Sequence, residues 1–161
     1  MIYQVKGDIL LSKAQAIVIY DPMDEGLALQ LRTKYPLLQK EFNLWCYQHD
    51  TKLGEAWLWQ SSDNARIVNL ITHESVQTNA NHHYYKATLN HVRHALTELA
   101  KIIRFKKLIS VALPKLGTGS GDLDWDDVWP LVANNLDGLG IPVYLYAVYC
   151  PGQAAQEPQR V

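Results

Sequence analysis

Two hydrophobic periods alternate along this chain of 161 residues, and the alternation limits the folds open to it. Short apolar runs typical of strands fall at 2–6, 16–20, 55–60, 66–72, 108–113 and 142–149. Between several of these runs lie segments with apolar residues at every third or fourth position, which is the period of a helix. Strands that alternate with helices favour a mostly parallel sheet covered by helices on both faces. The pattern therefore predicts an α/β chain with three layers, α/β/α.

The helical segments begin near residue 26, after residue 36, at residue 84 and at residue 125. Pro36 fits poorly inside a helix, so we expect one helix to end before it and a second to follow it. The segment 84–103 has the clearest period, with Tyr85, Leu89, Val92, Leu96, Leu99 and Ile103 on one face. The segment 125–136 opens with acidic residues that suit a helix N-terminus, and we expect Pro130 in its first turn.

Composition excludes several classes of function. Hydrophobic residues make up 48% of the chain and charged residues 19%, which is typical of a globular domain. The formal net charge is −1, whereas binding through the phosphate backbone of a nucleic acid usually needs a basic excess. No apolar run is long enough to span a membrane, and the first residues lack the pattern of a signal peptide. We therefore expect a cytoplasmic protein without a membrane partner.

The two cysteines, Cys46 and Cys150, lack the spacing of metal ligands, and we expect reduced thiols. No cofactor and no metal is expected. The length suits a single domain, which we place at 1–151. The last residues, GQAAQEPQRV, offer almost nothing to bury, so we expect a disordered tail over 152–161.

A glycine-rich loop lies between the strand at 108–113 and the helix at 125, with glycines at 117, 119 and 121. Glycine lets a ligand approach the backbone closely, and consecutive amides ahead of a helix can bind phosphate oxygens. The spacing matches neither a Walker loop nor the dinucleotide-binding fingerprint. A tight turn without a ligand is the alternative. Two further turns, at Gly7-Asp8 and at 23–27, also follow predicted strands.

Taken in order, these features resemble the macrodomain family. Gly-Asp-Ile follows the first strand, Ala-Ile-Val lies in the second, Gly-Leu-Ala-Leu-Gln opens the first helix, and Leu-Pro-Lys-Leu-Gly-Thr-Gly precedes Leu-Asp-Trp. With Gly54-Glu55, the resemblance is closest to the branch that holds the terminal ADP-ribose glycohydrolase and the antitoxin macrodomains that remove ADP-ribose from DNA. It implies a three-layer macrodomain fold with a mostly parallel, mixed central sheet, and a cleft that binds ADP-ribose.

The resemblance also implies roles for individual residues. Asp8 would accept a hydrogen bond from the adenine amino group, with the Ile9 amide nearby. Gly26 and Leu27 would form one wall of the cleft. Tyr146 or Tyr149 would cover the adenine face, although tyrosine is also a common strand residue. The diphosphate and the distal ribose would be wrapped by Gly117, Thr118, Gly119, Ser120 and Gly121.

Some positions depart from the family pattern. His73 stands where the nearest branch has a lysine nucleophile, and an imidazole cannot form the Schiff base that a lysine can. Histidine can instead act as a general base, and Asp122 is a second candidate for that role. Asp24 replaces an expected glycine and Glu25 follows it, so two carboxylates oppose an anion at this point.

We therefore expect a domain that recognises ADP-ribose or an ADP-ribosyl group, free or attached to a macromolecule. The first alternative is an ADP-ribosyl glycohydrolase in which His73 or Asp122 is the catalytic base. The second alternative is a degenerate macrodomain that serves as a protein-interaction scaffold. An ADP-ribosyltransferase is a candidate partner.

Overall fold

The computed structural model describes residues 1–20, 25–49, 53–77, 83–115 and 123–158. Single turns of 3-10 helix lie at Ile9–Leu11 and Asp137–Leu139. In chain order the strands and α-helices are β1 (Ile2–Gly7), β2 (Ala16–Tyr20), α1 (Glu25–Lys34), α2 (Pro36–His49), β3 (Ala56–Gln60), β4 (Arg66–Leu70), β5 (His73–Gln77), β6 (His83–Ala87), α3 (Leu89–Phe105), β7 (Val111–Pro114), α4 (Trp125–Leu136) and β8 (Val143–Tyr149).

Six strands form the central sheet, in the order β1-β8-β7-β2-β4-β3. Every neighbouring pair is parallel except β3 and β4, which are antiparallel at one edge. Strands β5 and β6 form a separate antiparallel hairpin. The predicted mixed, mostly parallel sheet is therefore confirmed.

Both faces of the sheet are covered, which explains why the central strand β2 is buried at every residue. On β2, Val18 faces a core shared with α3 and α4. Its neighbours Ile17 and Ile19 face a second core with α1, α2 and the first 3-10 turn. The predicted three layers are confirmed. The break at Pro36 is also confirmed, because α1 ends at Lys34 and α2 begins with the proline. Among the described residues, no helix is long and apolar enough to span a membrane.

Helix α3 begins later than its hydrophobic period predicts. Its N-cap is Thr88, whose Oγ1 accepts a hydrogen bond from the His91 amide at 3.2 Å. The predicted first turn belongs to β6 instead, where Tyr85 pairs with Ser75. Adjacent tyrosines suit a strand, and the pairing with β5 supplies the backbone partners that the helix would otherwise provide.

Helix α4 begins as its acidic residues predict, but its proline is not in the first turn. The N-cap Asp124 accepts a hydrogen bond from the Asp126 amide at 2.9 Å. Pro130 therefore lies in the second turn, and the prediction for it was wrong. Because Pro130 is exposed, the carbonyl that would accept from its missing amide can be reached by water.

The chain reverses direction after β8. The Gln153 amide donates to the Cys150 carbonyl at 3.2 Å, which closes a turn around Pro151 and Gly152. Gly152 has a φ of 75°, and proline followed by glycine at a positive φ is the signature of a type II turn. Residues 151–158, here called the C-terminal strap, then lie against β1 and β8. For residues 152–158 the structure thus differs from the expected disordered tail, while 159–161 lie outside the described residues.

Glu157 fastens the far end of the strap. Its carboxylate accepts hydrogen bonds from the Ser12 hydroxyl at 2.5 Å, the Lys13 amide at 2.9 Å and the Tyr146 hydroxyl at 2.7 Å. The next carbonyl, that of Pro158, accepts from the Tyr144 hydroxyl at 2.5 Å. Burial of the Tyr146 ring, together with the bond to Glu157, raises the pKa of its phenol.

We expect Leu99→Ala to destabilise the domain by about 2–5 kcal/mol, because it leaves a cavity between α3 and the sheet. Leu99 is 0% exposed. Phe105→Ala on the same helix is the control, since that ring is 81% exposed and its loss should change stability by about 0.5 kcal/mol or less. Urea unfolding measures both. Equal effects would contradict the placement of Leu99 in the core.

Tyr146→Phe should flatten the loss of stability at alkaline pH. Tyr146 is 4% exposed, and its pKa is raised above the ordinary value of 10.0. Below that value the phenol is neutral in both states and its contribution is complete. Above it the unfolded chain ionises first, so the free energy of unfolding falls as the pH rises. Urea unfolding between about pH 8 and pH 11 measures the slope. Tyr47→Phe, at a site 89% exposed, should keep the wild-type profile.

Candidate functional site

The carboxyl ends of the parallel strands meet at one edge of the sheet, where ligands bind in open α/β folds. Asp8 follows β1 there, Thr72 and His73 follow β4, and Lys115 follows β7. The segments 21–24, after β2, and 116–122, after β7, lie outside the described residues. The described part of this edge is therefore built by Asp8, the start of α1, the end of β4 and the end of β8.

Asp8 is the best-defined polar group at this edge, and it is 7% exposed. As the N-cap of the first 3-10 turn it accepts a hydrogen bond from the Leu10 amide to Oδ1 at 3.0 Å. Its Oδ2 accepts from the Gly152 amide at 2.9 Å. Its own amide donates to the Gln153 carbonyl at 2.6 Å. Because two amides bind the two oxygens, the carboxylate is held in one orientation as an acceptor.

Gly7, which precedes Asp8, is required by close packing. A Cβ placed on it would meet the Ala155 nitrogen and the Gln153 carbonyl, each at 2.8 Å. The strap therefore crosses directly over the end of β1. This explains the glycine of the Gly-Asp-Ile motif in terms of this chain's own packing. Ile9, the third residue of the motif, is buried in the core beside α1 and α2.

Tyr149 ends β8 and pairs with Gly7, which brings it next to Asp8. Tyr146, the other tyrosine considered for the adenine face, is buried and bonded to Glu157. Of the two, Tyr149 is therefore the residue that the register places beside Asp8. Sequence reasoning missed the third neighbour, Gly152, although Pro151-Gly152 is a recognisable turn signal.

Gly26 and Leu27 lie in the first turn of α1. Gly26 is exposed, whereas the Leu27 side chain is 3% exposed and packs in the core with Leu31. Only the backbone of Leu27 is therefore available for a wall of the cleft. Glu25 begins the helix and Asp24 lies outside the described residues, so their effect on an anion stays a prediction.

His73 begins the β5–β6 hairpin and pairs with Ala87. It follows Thr72, which is fully buried at the end of β4. The neighbouring Gly54 has a φ of 89°, and a Cβ on it would meet the His94 Cβ at 2.8 Å. The Gly54 amide donates to the Ile71 carbonyl at 2.7 Å, so this glycine fixes the backbone just ahead of His73.

The glycine loop itself, with Gly117, Thr118, Gly119, Ser120, Gly121 and the candidate base Asp122, lies outside the described residues. Its flanks are described. The Lys115 Nζ lies 5.4 Å from the centroid of the Trp125 ring, a cation–π contact across the base of the loop. Leu123 packs against the core with α3 and α4. The described residues on either side of this segment are thus fixed at the end of β7 and at the start of α4.

Comparison with known proteins gives consistent results. The family model described as Macro domain matches residues 22–132. Over 135 residues the chain is 29% identical to a DNA ADP-ribosyl glycohydrolase of Mycobacterium tuberculosis, an alignment that covers 80% of this chain and 36% of that protein. The chain thus corresponds to little more than a third of this relative's length.

Solved structures show the same fold. The macrodomain of Mycobacterium tuberculosis DarG has a TM-score of 0.74 and 26% identity, covering 94% of this chain and 99% of that one. Thermosipho africanus DarTG, solved in complex with ADP-ribose, has a TM-score of 0.76 and 21% identity, covering 95% of this chain and 42% of that one. The family model matches more than half of the residues of this chain, and the chain therefore belongs to the Macro domain family.

Proposed function

We propose that this chain binds ADP-ribose, or an ADP-ribosyl group on a macromolecule, at the carboxyl edge of its sheet. The observation that carries the proposal is the Asp8 carboxylate, which two backbone amides hold at this edge beside the end of β8. A fixed acceptor suits the amino group of adenine, which donates hydrogen bonds. Similarity to a DNA ADP-ribosyl glycohydrolase and to a structure solved with ADP-ribose supports this ligand.

The remaining contacts of the ligand are proposed from the sequence. The segment Gly117–Gly121 would wrap the diphosphate. The amides at the start of α1, around Gly26, would add partial positive charge on the opposite wall. Tyr149 would lie against the adenine, next to Asp8.

Titration calorimetry with ADP-ribose tests the proposal directly. We expect micromolar affinity, about −8 kcal/mol, and weaker binding of AMP because it lacks the distal ribose and the second phosphate. The measurement needs only the purified chain. No heat with ADP-ribose up to millimolar concentration would reject both binding and hydrolysis, and would favour the scaffold alternative.

Asp8→Asn tests the adenine contact. The substitution replaces one acceptor oxygen by a donor, so we expect about a 10-fold to 100-fold loss of ADP-ribose affinity. Asp63→Asn makes the same change of charge in the exposed turn between β3 and β4, at the opposite edge of the sheet. It should bind as the wild type does. Wild-type affinity in Asp8→Asn would refute the assigned contact.

Hydrolysis is the second candidate function, and similarity to a DNA ADP-ribosyl glycohydrolase over 80% of this chain favours it. Without a lysine at position 73 the covalent route through a Schiff base is closed to this residue. His73 would instead take a proton from water while the water oxygen attacks the anomeric carbon. The bond from that carbon to the DNA breaks, the departing DNA atom takes a proton from solvent, and His73 releases its proton to solvent.

We expect His73→Ala to lower kcat on an ADP-ribosylated DNA oligonucleotide by about 100-fold or more, with ADP-ribose affinity retained. Release of ADP-ribose, followed by chromatography, gives the rate. His49→Ala, at the exposed end of α2, should leave the rate unchanged. Unchanged turnover in His73→Ala, with loss in Asp122→Ala, would transfer the role of base to Asp122. An ADP-ribosyltransferase partner and a cytoplasmic location stay predictions.

A further inference from the structure

The C-terminal strap joins two sets of hydrogen bonds that lie at opposite ends of it. At one end, Gly152 and Gln153 bind the carboxylate and the amide of Asp8. At the other end, the Glu157 carboxylate accepts from three donors, at Ser12, Lys13 and Tyr146. The residues between them contribute little burial, since only Ala155 among 151–156 is partly buried, against the core with α1 and α2, and the others are exposed.

We propose that Glu157 is a positioning residue for the adenine end of the site, acting through the strap on Asp8. This inference rests on the proposed binding of ADP-ribose. Glu157 fastens the strap, the strap holds the Gly152 amide on Asp8 Oδ2, and that amide keeps the carboxylate oriented toward the edge of the sheet.

The geometry leaves Asp8 able to receive a ligand. Each carboxylate oxygen can accept two hydrogen bonds, and the described donors use one position on each, from Leu10 and from Gly152. With both oxygens tied, rotation of the carboxylate about its Cβ–Cγ bond is restricted. Loss of the Gly152 amide would free Oδ2 to turn toward water. Restoring the orientation would then reduce the binding free energy of the ligand.

Glu157 accepts most of the described hydrogen bonds at the far end of the strap. A segment with few buried apolar contacts opens at a lower free energy than the core does, unless polar contacts retain it. Hydrogen bonds to a carboxylate are among the stronger ones in proteins. Three of them converge on Glu157, from the loop after the first 3-10 turn and from β8, so its loss leaves the far end of the strap with the bond from the Tyr144 hydroxyl to the Pro158 carbonyl.

The test uses ligands that differ only at the position that Asp8 would contact. ADP-ribose carries an amino donor on its purine, whereas its analogue with an unsubstituted purine carries only a hydrogen on that carbon. We expect Glu157→Ala to lower the affinity for ADP-ribose by about threefold to tenfold and to leave that for the unsubstituted-purine analogue unchanged. Glu157→Gln keeps one acceptor oxygen, so its affinity for ADP-ribose should lie between those of the wild type and Glu157→Ala. Gln156→Ala, at the exposed neighbouring position, is the control and should match the wild type.

A double-mutant cycle with Asp8→Asn separates a positioning role from a general one. In the Asp8→Asn background, Glu157→Ala should have no further effect on ADP-ribose affinity. Hydrogen exchange of the Gly152 amide should become faster in Glu157→Ala. Equal losses for both ligands, or an undiminished loss in the Asp8→Asn background, would overturn the inference.

Failure of the proposed function gives a different pattern. If the wild-type chain bound neither ligand, the proposal for ADP-ribose would fail, and with it the role of Glu157 in binding. If the wild type bound ADP-ribose and Glu157→Ala bound it equally well despite faster exchange at Gly152, only the inference about Glu157 would fail.

Discussion

The parallel pairing of β8 with both β1 and β7 is the constraint on which the candidate site depends. Parallel pairing brings the carboxyl ends of the first and last strands to the same edge, and the register sets Gly7 opposite Tyr149. The chain leaves β8 next to Asp8 for this reason. A strand antiparallel to β1 would deliver the strap to the opposite edge, where no ligand site is expected.

Once the strand ends are fixed, the polar groups of the strap determine the local structure. A buried carboxylate must be paired, and a backbone segment laid over a sheet must find partners for its amides and carbonyls. Asp8 and the strap satisfy each other, since Gly152 donates to the carboxylate and Gln153 accepts from the Asp8 amide. The Glu157 carboxylate is likewise paired, with donors from Ser12, Lys13 and Tyr146. The strap is thus integrated into the domain through hydrogen bonds rather than through apolar burial.

Most elements could be predicted because local patterns and tertiary packing agree for them. The apolar run of β2 is read correctly since both of its faces are covered, and Asp124 caps α4 as its position suggests. The prediction that Tyr85 lies in a helix was wrong because its spacing from Leu89 happens to match the helical period of the segment that follows. Only the cross-strand partner, Ser75, distinguishes a hairpin from a first helical turn. The strap was missed because its composition gives no apolar signal, although its Pro-Gly turn is local.

The sequence by itself determined the class of fold, the macrodomain motifs and the identity of Asp8 as a candidate acceptor. These follow from hydrophobic period, from turn chemistry and from short motifs, all of which are properties of neighbouring residues. Only the tertiary structure decided that the Asp8 carboxylate is bound by Gly152, that Tyr146 is committed to Glu157, and that Tyr149 lies beside Asp8. Each of these pairings joins residues from different strands or loops. Their proximity depends on the order and register of the sheet, which no local pattern encodes.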